Sequence, residues 1–241
     1  MYTVIKELNY ENQEECLLIG VFQDVEGFGD WLKNFDEKLQ EELVTLQKAG
    51  DISGKLKHVA VIPTLGLVGV KRFLFVGLGK KANVSKDELR EAFGKAFKKV
   101  QQLKLATVSV HLDTFTTDTI SQQDAAYLLG EACRMATYRF AGYKTKKKKV
   151  ENTLQAITVY SSGDAAEVKD SLKIGDLYGK ATNSARTLVN TPPNLLKATD
   201  IANYTRELAE RYGFAVDILH KADLERLGMG AILAVNQGSS E

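Results

Sequence analysis

The chain has 241 residues, 44% of them hydrophobic and 26% charged, which is enough apolar surface to fill a core and too much for a disordered chain. Lys and Arg number 32 against 31 Asp and Glu, so the net charge of +1 gives no general call for a nucleic acid, a membrane surface or an acidic substrate. Two cysteines, Cys16 and Cys133, cannot build a disulfide framework and lack CxxC spacing, so they read as buried thiols of a reducing compartment.

The opening MYTVIKELNYENQEE has neither a basic start nor an apolar stretch, so no secretory leader is expected, and no apolar run approaches a membrane-spanning length. A cytoplasmic chain is the expectation. Residues 2–8 and 15–22 have the β-branched, apolar character of strands, the second almost wholly apolar and therefore central. Residues 30–48 place Trp31, Leu32, Phe35, Leu39, Leu43 and Leu46 at helical spacing, and Gly50 ends the run. Strands at 58–63 and 70–76 flank a glycine-rich turn.

Ser85 and Glu88 form an S-x-x-E capping box ahead of Leu89, Phe93, Ala96, Phe97 and Val100. A strand at 106–112, a helix opened by Ser121 and a strand at 153–160 follow. This alternation predicts an α/β fold, a layered mixed sheet flanked by helices. Asp164, with Glu167 three residues on, caps a predicted helix running to about residue 189, whose expected buried stripe is Ile174, Tyr178, Ala181, Ala185 and Leu188. Gly175 and Gly179 lie one turn apart and would let another backbone approach closely.

Pro192-Pro193 stops that helix. Beyond it come a helix at 199–212 capped by Thr199, a strand at 214–219, a short helix at 223–227 and an apolar run at 231–235 compatible with either strand or helix. These elements are too few to cover a sheet on both faces, so the chain is expected to stop inside a second domain. The predicted organisation is a domain at 1–163, a connector helix at 164–190 and the opening of a second α/β domain at 191–241.

Chemistry-bearing patterns are sparse. Gly77-Leu78-Gly79-Lys80-Lys81-Ala82 follows a strand and superficially fits the G-x-G-x-x-G/A phosphate turn. The acid expected about twenty residues later is missing; the strand-end acid, Asp113, lies thirty-four residues after Gly79. A tight glycine turn is the favoured reading. Lys144, Lys146, Lys147, Lys148 and Lys149 form a basic run that would contact phosphates if it bound nucleic acid, or else is a solvated loop. His58, His111 and His220 are scattered without HExxH or HxH spacing, and no G-x-S-x-G elbow occurs.

Three segments carry a resemblance: YRFAGYKTKKKK at 138–149, ARTLVNTPPNLLKATD at 185–200 and LGMGAILAVNQGSSE at 227–241. In the same order they resemble the leucyl aminopeptidase (cytosol aminopeptidase) family of two-metal exopeptidases. The resemblance implies a macrodomain-like N-terminal domain, a long connecting helix, a C-terminal catalytic domain and a hexamer. It also implies two manganese or zinc ions that hold the peptide and activate a bridging water.

The family's metal ligands and catalytic lysine and arginine occupy motifs like KGxTFDxGG and NTDAEGR. Neither string is present; Asn190-Thr191 continues into Pro192-Pro193. Both motifs are expected beyond residue 241, so no catalytic, metal-binding or cofactor-binding residue is assigned within the chain. Asp217 and Asp223 read as a strand-end acid and a helix-cap acid. The expectation is an aminopeptidase acting on peptides as the full-length protein, with this stretch inactive alone. The alternative is a module binding nucleic acid through the lysine run, or a nucleotide.

Overall fold

In the computed structural model, residues 2–6, 14–140, 142 and 154–238 are described, apart from the Asn34 side chain. Six strands form one sheet: β1 (Tyr2–Ile5), β2 (Leu17–Val21), β3 (Val59–Pro63), β4 (Arg72–Gly77), β5 (Thr107–His111) and β6 (Ala156–Tyr160). Their spatial order is β1-β6-β5-β2-β4-β3. Neighbours run parallel except β3, which returns antiparallel to β4 across the glycine-rich turn. The fold is the mixed, helix-flanked sheet expected from the strand and helix alternation.

Strand pleating sorts the core into two layers. From β2, Leu18 joins Leu74, Val76, Val108, Val110, Ile157 and Val159 on one face, against α2 (Lys86–Gln102), α3 (Gln122–Ala136) and α4 (Ala165–Asn190). Leu17, Ile19 and Val21 point the other way, with Phe73 and Phe75, against Trp31, Leu32, Phe35 and Leu43. The near-continuous apolar character of β2 thus follows from burial on both faces.

The expected helix at 30–48 is two pieces. A 3-10 segment, Asp30–Asn34, precedes α1 (Glu37–Ala49), because the Asp36 carboxylate accepts the Lys38 N–H at 3.0 Å and starts a new helix. Gly50 ends α1 in the left-handed conformation, as its position predicted. The Ser85–Glu88 capping box forms, and Ser121 pairs in the same way with Asp124 at the start of α3.

Helix α4 corrects the expected stripe. Its buried residues are Val168, Leu172, Gly175, Asp176 and Gly179, whereas Ile174 and Tyr178 are 50% and 57% exposed. The helix crosses α3 on its smallest side chains: a Cβ on Gly175 would stand 2.0 Å from the Tyr127 carbonyl oxygen, and one on Gly130 of α3 would stand 2.4 Å from that of Leu172. Close backbone contact therefore turns the glycine face inward and the larger apolar groups out.

The chain divides into two compact units, Met1–Ser184 and Ala185–Glu241, with α4 running across the division. The second unit holds α5 (Ala198–Tyr212), α6 (Lys221–Arg226) and α7 (Gly230–Val235). Lys197, not Thr199, is the N-cap of α5, and its N–H donates to Asp200 at 2.9 Å. The apolar run at 231–235 is helical. The strand expected at 214–219 does not form; among the described residues this unit contains no strand to pair with it. Ala209 is the one buried apolar residue among its described residues.

Candidate functional site

The Gly77–Gly79 turn has a structural occupation that leaves no cradle for a phosphate. Gly77 N–H donates to the His58 carbonyl at 2.8 Å, Leu78 N–H to Val21 at 2.9 Å and Gly79 N–H to Gly54 at 2.8 Å. Lys81 N–H donates to the Asp24 carboxylate at 2.8 Å. A phosphate turn needs such donors free. The glycines serve contact instead: a Cβ at Gly77 would meet the Lys55 carbonyl oxygen at 1.9 Å, and Gly79 has φ +82°.

Open α/β sheets bind ligands where strand order reverses, outside the carboxyl ends of the strands. Here that crevice lies between β2 and β5, and the 3-10 turn Leu112–Phe115 fills it. Thr114 Oγ1 accepts the Gly20 N–H at 2.9 Å and donates to the His111 carbonyl at 2.7 Å. A Cβ at Gly20 would stand 2.6 Å from the Thr114 carbonyl oxygen, so glycine is what allows the turn to sit there. Asp113, the strand-end acid, accepts from Gln122 Nε2 at 2.8 Å and from Ser162 N–H. It ties loops together.

The histidines stay apart from one another in role. His58 precedes β3, His111 ends β5 and His220 is the N-cap of α6. His111 packs 5.7 Å from the Trp31 ring, and burial pushes its pKa below the ordinary imidazole value, favouring the neutral ring. Cys16 and Cys133 are both fully buried, and burial pushes each thiol up to about 12, far from a reactive thiolate. Among the described residues no three His, Cys, Asp or Glu side chains are grouped to hold a metal ion. Asp223 accepts the His220 N–H at 3.1 Å at the start of α6, a helix-end role, and Asp217 lies in the irregular segment before it. Lys144, Lys146, Lys147, Lys148 and Lys149 lie outside the described residues.

One charged cluster was not legible beforehand. Asp176, 7% exposed on α4, accepts from Arg134 Nε of α3 at 2.8 Å and from Lys180 Nζ at 2.7 Å. The Tyr2 hydroxyl reaches the same carboxylate at 3.3 Å. Burial pushes the Asp176 carboxyl up, but the bonds from Lys180 and Arg134 outweigh it and hold the group below the usual carboxylate range. The signal in the sequence is a lone acid between two interface glycines with a lysine four residues on. One carboxylate is shared by two cations and a hydroxyl, a structural tie between α3, α4 and β1.

In the second unit, α5, residues 218–220, α6 and α7 line a cavity of about 1190 Å³. Its walls mix Ala202, Ile218, Leu219, Leu224 and Ile232 with Arg206. His220, Lys221 and Glu225 also line it.

The profile described as "Cytosol aminopeptidase family, N-terminal domain" matches residues 18–147, more than half of the chain. The chain belongs to the cytosol aminopeptidase family. The profile of that family's catalytic domain matches residues 183–241. Two relatives named "Probable cytosol aminopeptidase", from Bacillus subtilis (strain 168) and Bacillus licheniformis, are 42% and 41% identical to the chain. They align over 94% and 95% of it, but over only 45% and 46% of their own length. This family member thus spans a little under half of the curated relatives it matches, including the N-terminal domain and the start of the catalytic domain.

Solved structures show the same fold. A mutant of tomato leucine aminopeptidase superposes with a TM-score of 0.81 at 22% identity, covering all of this chain and 48% of the tomato chain. The bottromycin maturation enzyme BotP superposes with a TM-score of 0.70 at 21% identity, covering 95% of this chain and 44% of BotP, and a second BotP structure is a complex with Mn. Among the described residues of the cytosol aminopeptidase chain no helix is long and apolar enough to cross a membrane.

Proposed function

We infer that the chain supplies the N-terminal domain (1–163), connector helix (164–190) and opening catalytic segment (191–241) of a cytoplasmic, two-metal aminopeptidase. The whole protein removes N-terminal residues, leucine-like ones among them, from peptides and works as a hexamer. The observation that carries this reading is the match of residues 183–241 to the family's catalytic domain, directly behind a matching N-terminal domain.

The metals are manganese or zinc, and their ligands lie outside residues 1–241. The donors described here do not fit such a centre, since no three His, Cys, Asp or Glu side chains converge among the described residues. No step of hydrolysis is therefore assigned to them. The contribution of residues 1–241 is architectural: the α/β domain, and a connector held on α3 through Gly175, Gly179 and Asp176.

The test joins residues 1–241 to the part of the Bacillus subtilis relative that lies outside the matched region. Residues 1–241 alone, supplied with Mn²⁺ or Zn²⁺, are expected to leave leucine p-nitroanilide intact, and the chimera to hydrolyse it only with metal. Metal-dependent turnover by 1–241 alone would overturn the assignment of the metal site. A soluble, folded chimera with no turnover on leucine or other aminoacyl anilides would overturn the aminopeptidase reading.

A further inference from the structure

A strap of chain lies over one face of the sheet, and a histidine sits beneath it. Residues 22–35 run from the end of β2 to the start of α1, across the face that carries Leu17, Ile19, Phe73 and Phe75. Trp31, Leu32 and Phe35 are buried there, with the Trp31 ring 6.2 Å from Phe73 and Phe28 5.1 Å from Phe75. The first half of the strap is tied by hydrogen bonds. Gln23 N–H donates to the Gly79 carbonyl at 2.8 Å, and Gln47 of α1 accepts from Gly27 N–H at 2.9 Å. Gly27 and Gly29, at φ +75° and +82°, bracket Phe28 in a conformation that glycine adopts freely.

From β5, Val108 and Val110 take the opposite face, so Ser109 and His111 alternate onto this one. The His111 ring stands 5.7 Å from that of Trp31, tilted by 51°. Its Nδ1 is buried without a hydrogen-bond partner among the described residues. In the imidazolium both ring nitrogens are donors. Charging the ring therefore leaves a buried N–H with no acceptor, against an indole and apolar neighbours.

The charged groups on the surrounding elements do little to offset that charge. Asp113, in the turn after β5, favours a charged ring, but burial outweighs it, and its carboxylate already accepts from Gln122 and Ser162. Tyr160, beside His111 on β6, donates its hydroxyl to Glu14 at 2.6 Å. β2 and β4 bring Leu17, Ile19, Phe73 and Phe75 to this face. In the strap Asp24 and Glu26 are exposed, and Asp30 pairs with Lys33 at 2.6 Å on the surface. Glu37, Lys38, Glu41, Glu42 and Lys48 of α1 are exposed as well.

We propose that the strap is an acid-released cover: when His111 takes up a proton, Trp31 and residues 28–35 lift from the sheet and bare the apolar face around Phe73 and Phe75. This device is independent of the aminopeptidase reading. Burial under the closed strap depresses the imidazole pKa, so an open strap binds the proton more tightly than a closed one. Closure is fully favoured above the ordinary imidazole value, about 6.5. It weakens as pH falls from there toward the lower closed-state value.

Peptide-level hydrogen–deuterium exchange on residues 1–241, corrected for the pH dependence of the intrinsic rate, tests this. Protection over 27–35 should fall severalfold between about pH 7.5 and pH 5, while β2 and β5 keep theirs. His111→Phe fills the space with a ring that cannot charge, and His111→Gln keeps a neutral polar group. Either variant should hold the protection of 27–35 constant over that range.

A pH dependence that survives in these variants would assign the effect to another group and overturn the proposal. Loss of protection that extends to β2 and β5 would mark opening of the whole sheet and overturn it too. Trp31 is the single tryptophan, so its emission gives a further outcome. A charged imidazole quenches a neighbouring indole. Quenching over the same range with protection unchanged would show that His111 charges beneath a closed strap, and the cover would not be acid-released.

Discussion

A buried acid can stabilise or destabilise depending on what it faces, and Asp176 shows how the balance falls. Its side chain touches Arg134, Lys180 and Tyr2, with Arg134 itself only partly exposed. Desolvation alone would favour the neutral acid; two cationic partners reverse that, and the folded-state carboxyl titrates below its ordinary value. A depressed folded-state pKa contributes stability that is present above the unfolded value, about 4, and is lost as pH falls through the folded one. Asp176→Asn keeps the shape but removes the carboxylate charge to which Arg134 and Lys180 both donate. It should cost about 2 kcal/mol near neutrality, with the gap to the parent shrinking below about pH 4. Urea unfolding at neutral and acid pH measures both. A gap of equal size at the two pH values would mean that the carboxylate charge carries none of the effect.

At the scale of helices, two glycines with the same helical backbone should respond to alanine with opposite signs. Gly175 lies where a Cβ would strike the Tyr127 carbonyl at 2.0 Å, whereas nothing lies within 4 Å of a Cβ at Gly94 in α2. Gly94→Ala should gain about 0.5–1 kcal/mol through helix propensity. Gly175→Ala gains the same propensity but forces α3 and α4 apart, for a net loss of about 1–3 kcal/mol. Denaturant midpoints of the two variants check this; stabilisation by both would show that the crossing is looser than its geometry.

The same crossing explains what could be read from the sequence. Local signals were reliable: Ser85 with Glu88, Ser121, Gly50 and Pro192-Pro193 act through neighbouring backbone groups and mark their boundaries. The α4 stripe was misassigned because periodicity turns the largest apolar groups inward, while a close crossing buries glycine. Residues 30–48 were joined because Asp36 sits inside an apolar period and still caps a helix. Residues 214–219 have strand composition, but a strand needs a partner from elsewhere in sequence. At the glycine turn 77–79 the pattern of residues does not reveal the backbone partners, His58, Val21 and Gly54, that occupy its N–H groups. Asp176 was missed because, Lys180 apart, its partners come from α3 and β1.

For the whole molecule, the decisive contrast is where the core lies. Met1–Ser184 buries apolar side chains on both faces of its sheet, and the single tryptophan, Trp31, is packed there among Phe28, Phe35 and Phe73. The described residues of Ala185–Glu241 hold the end of α4, α5, α6, α7 and a 3-10 turn, but of their apolar side chains only Ala209 is buried. Hydrophobic burial is the main favourable term in folding, so the second unit should open at lower free energy than the first. Two probes separate them. Tryptophan fluorescence reports the first unit alone, whereas ellipticity at the helical band sums the helices of both. In a urea titration of residues 1–241 the ellipticity should begin to fall before the Trp31 emission shifts, through loss of α5, α6 and α7. Joining the sequence that the Bacillus subtilis relative carries outside the matched region should remove that early phase by burying Ile218, Leu219 and Ile232. Coincident curves for residues 1–241 would instead mean that Ala185–Glu241 unfolds together with the sheet, and that its stability comes from something other than its own buried surface.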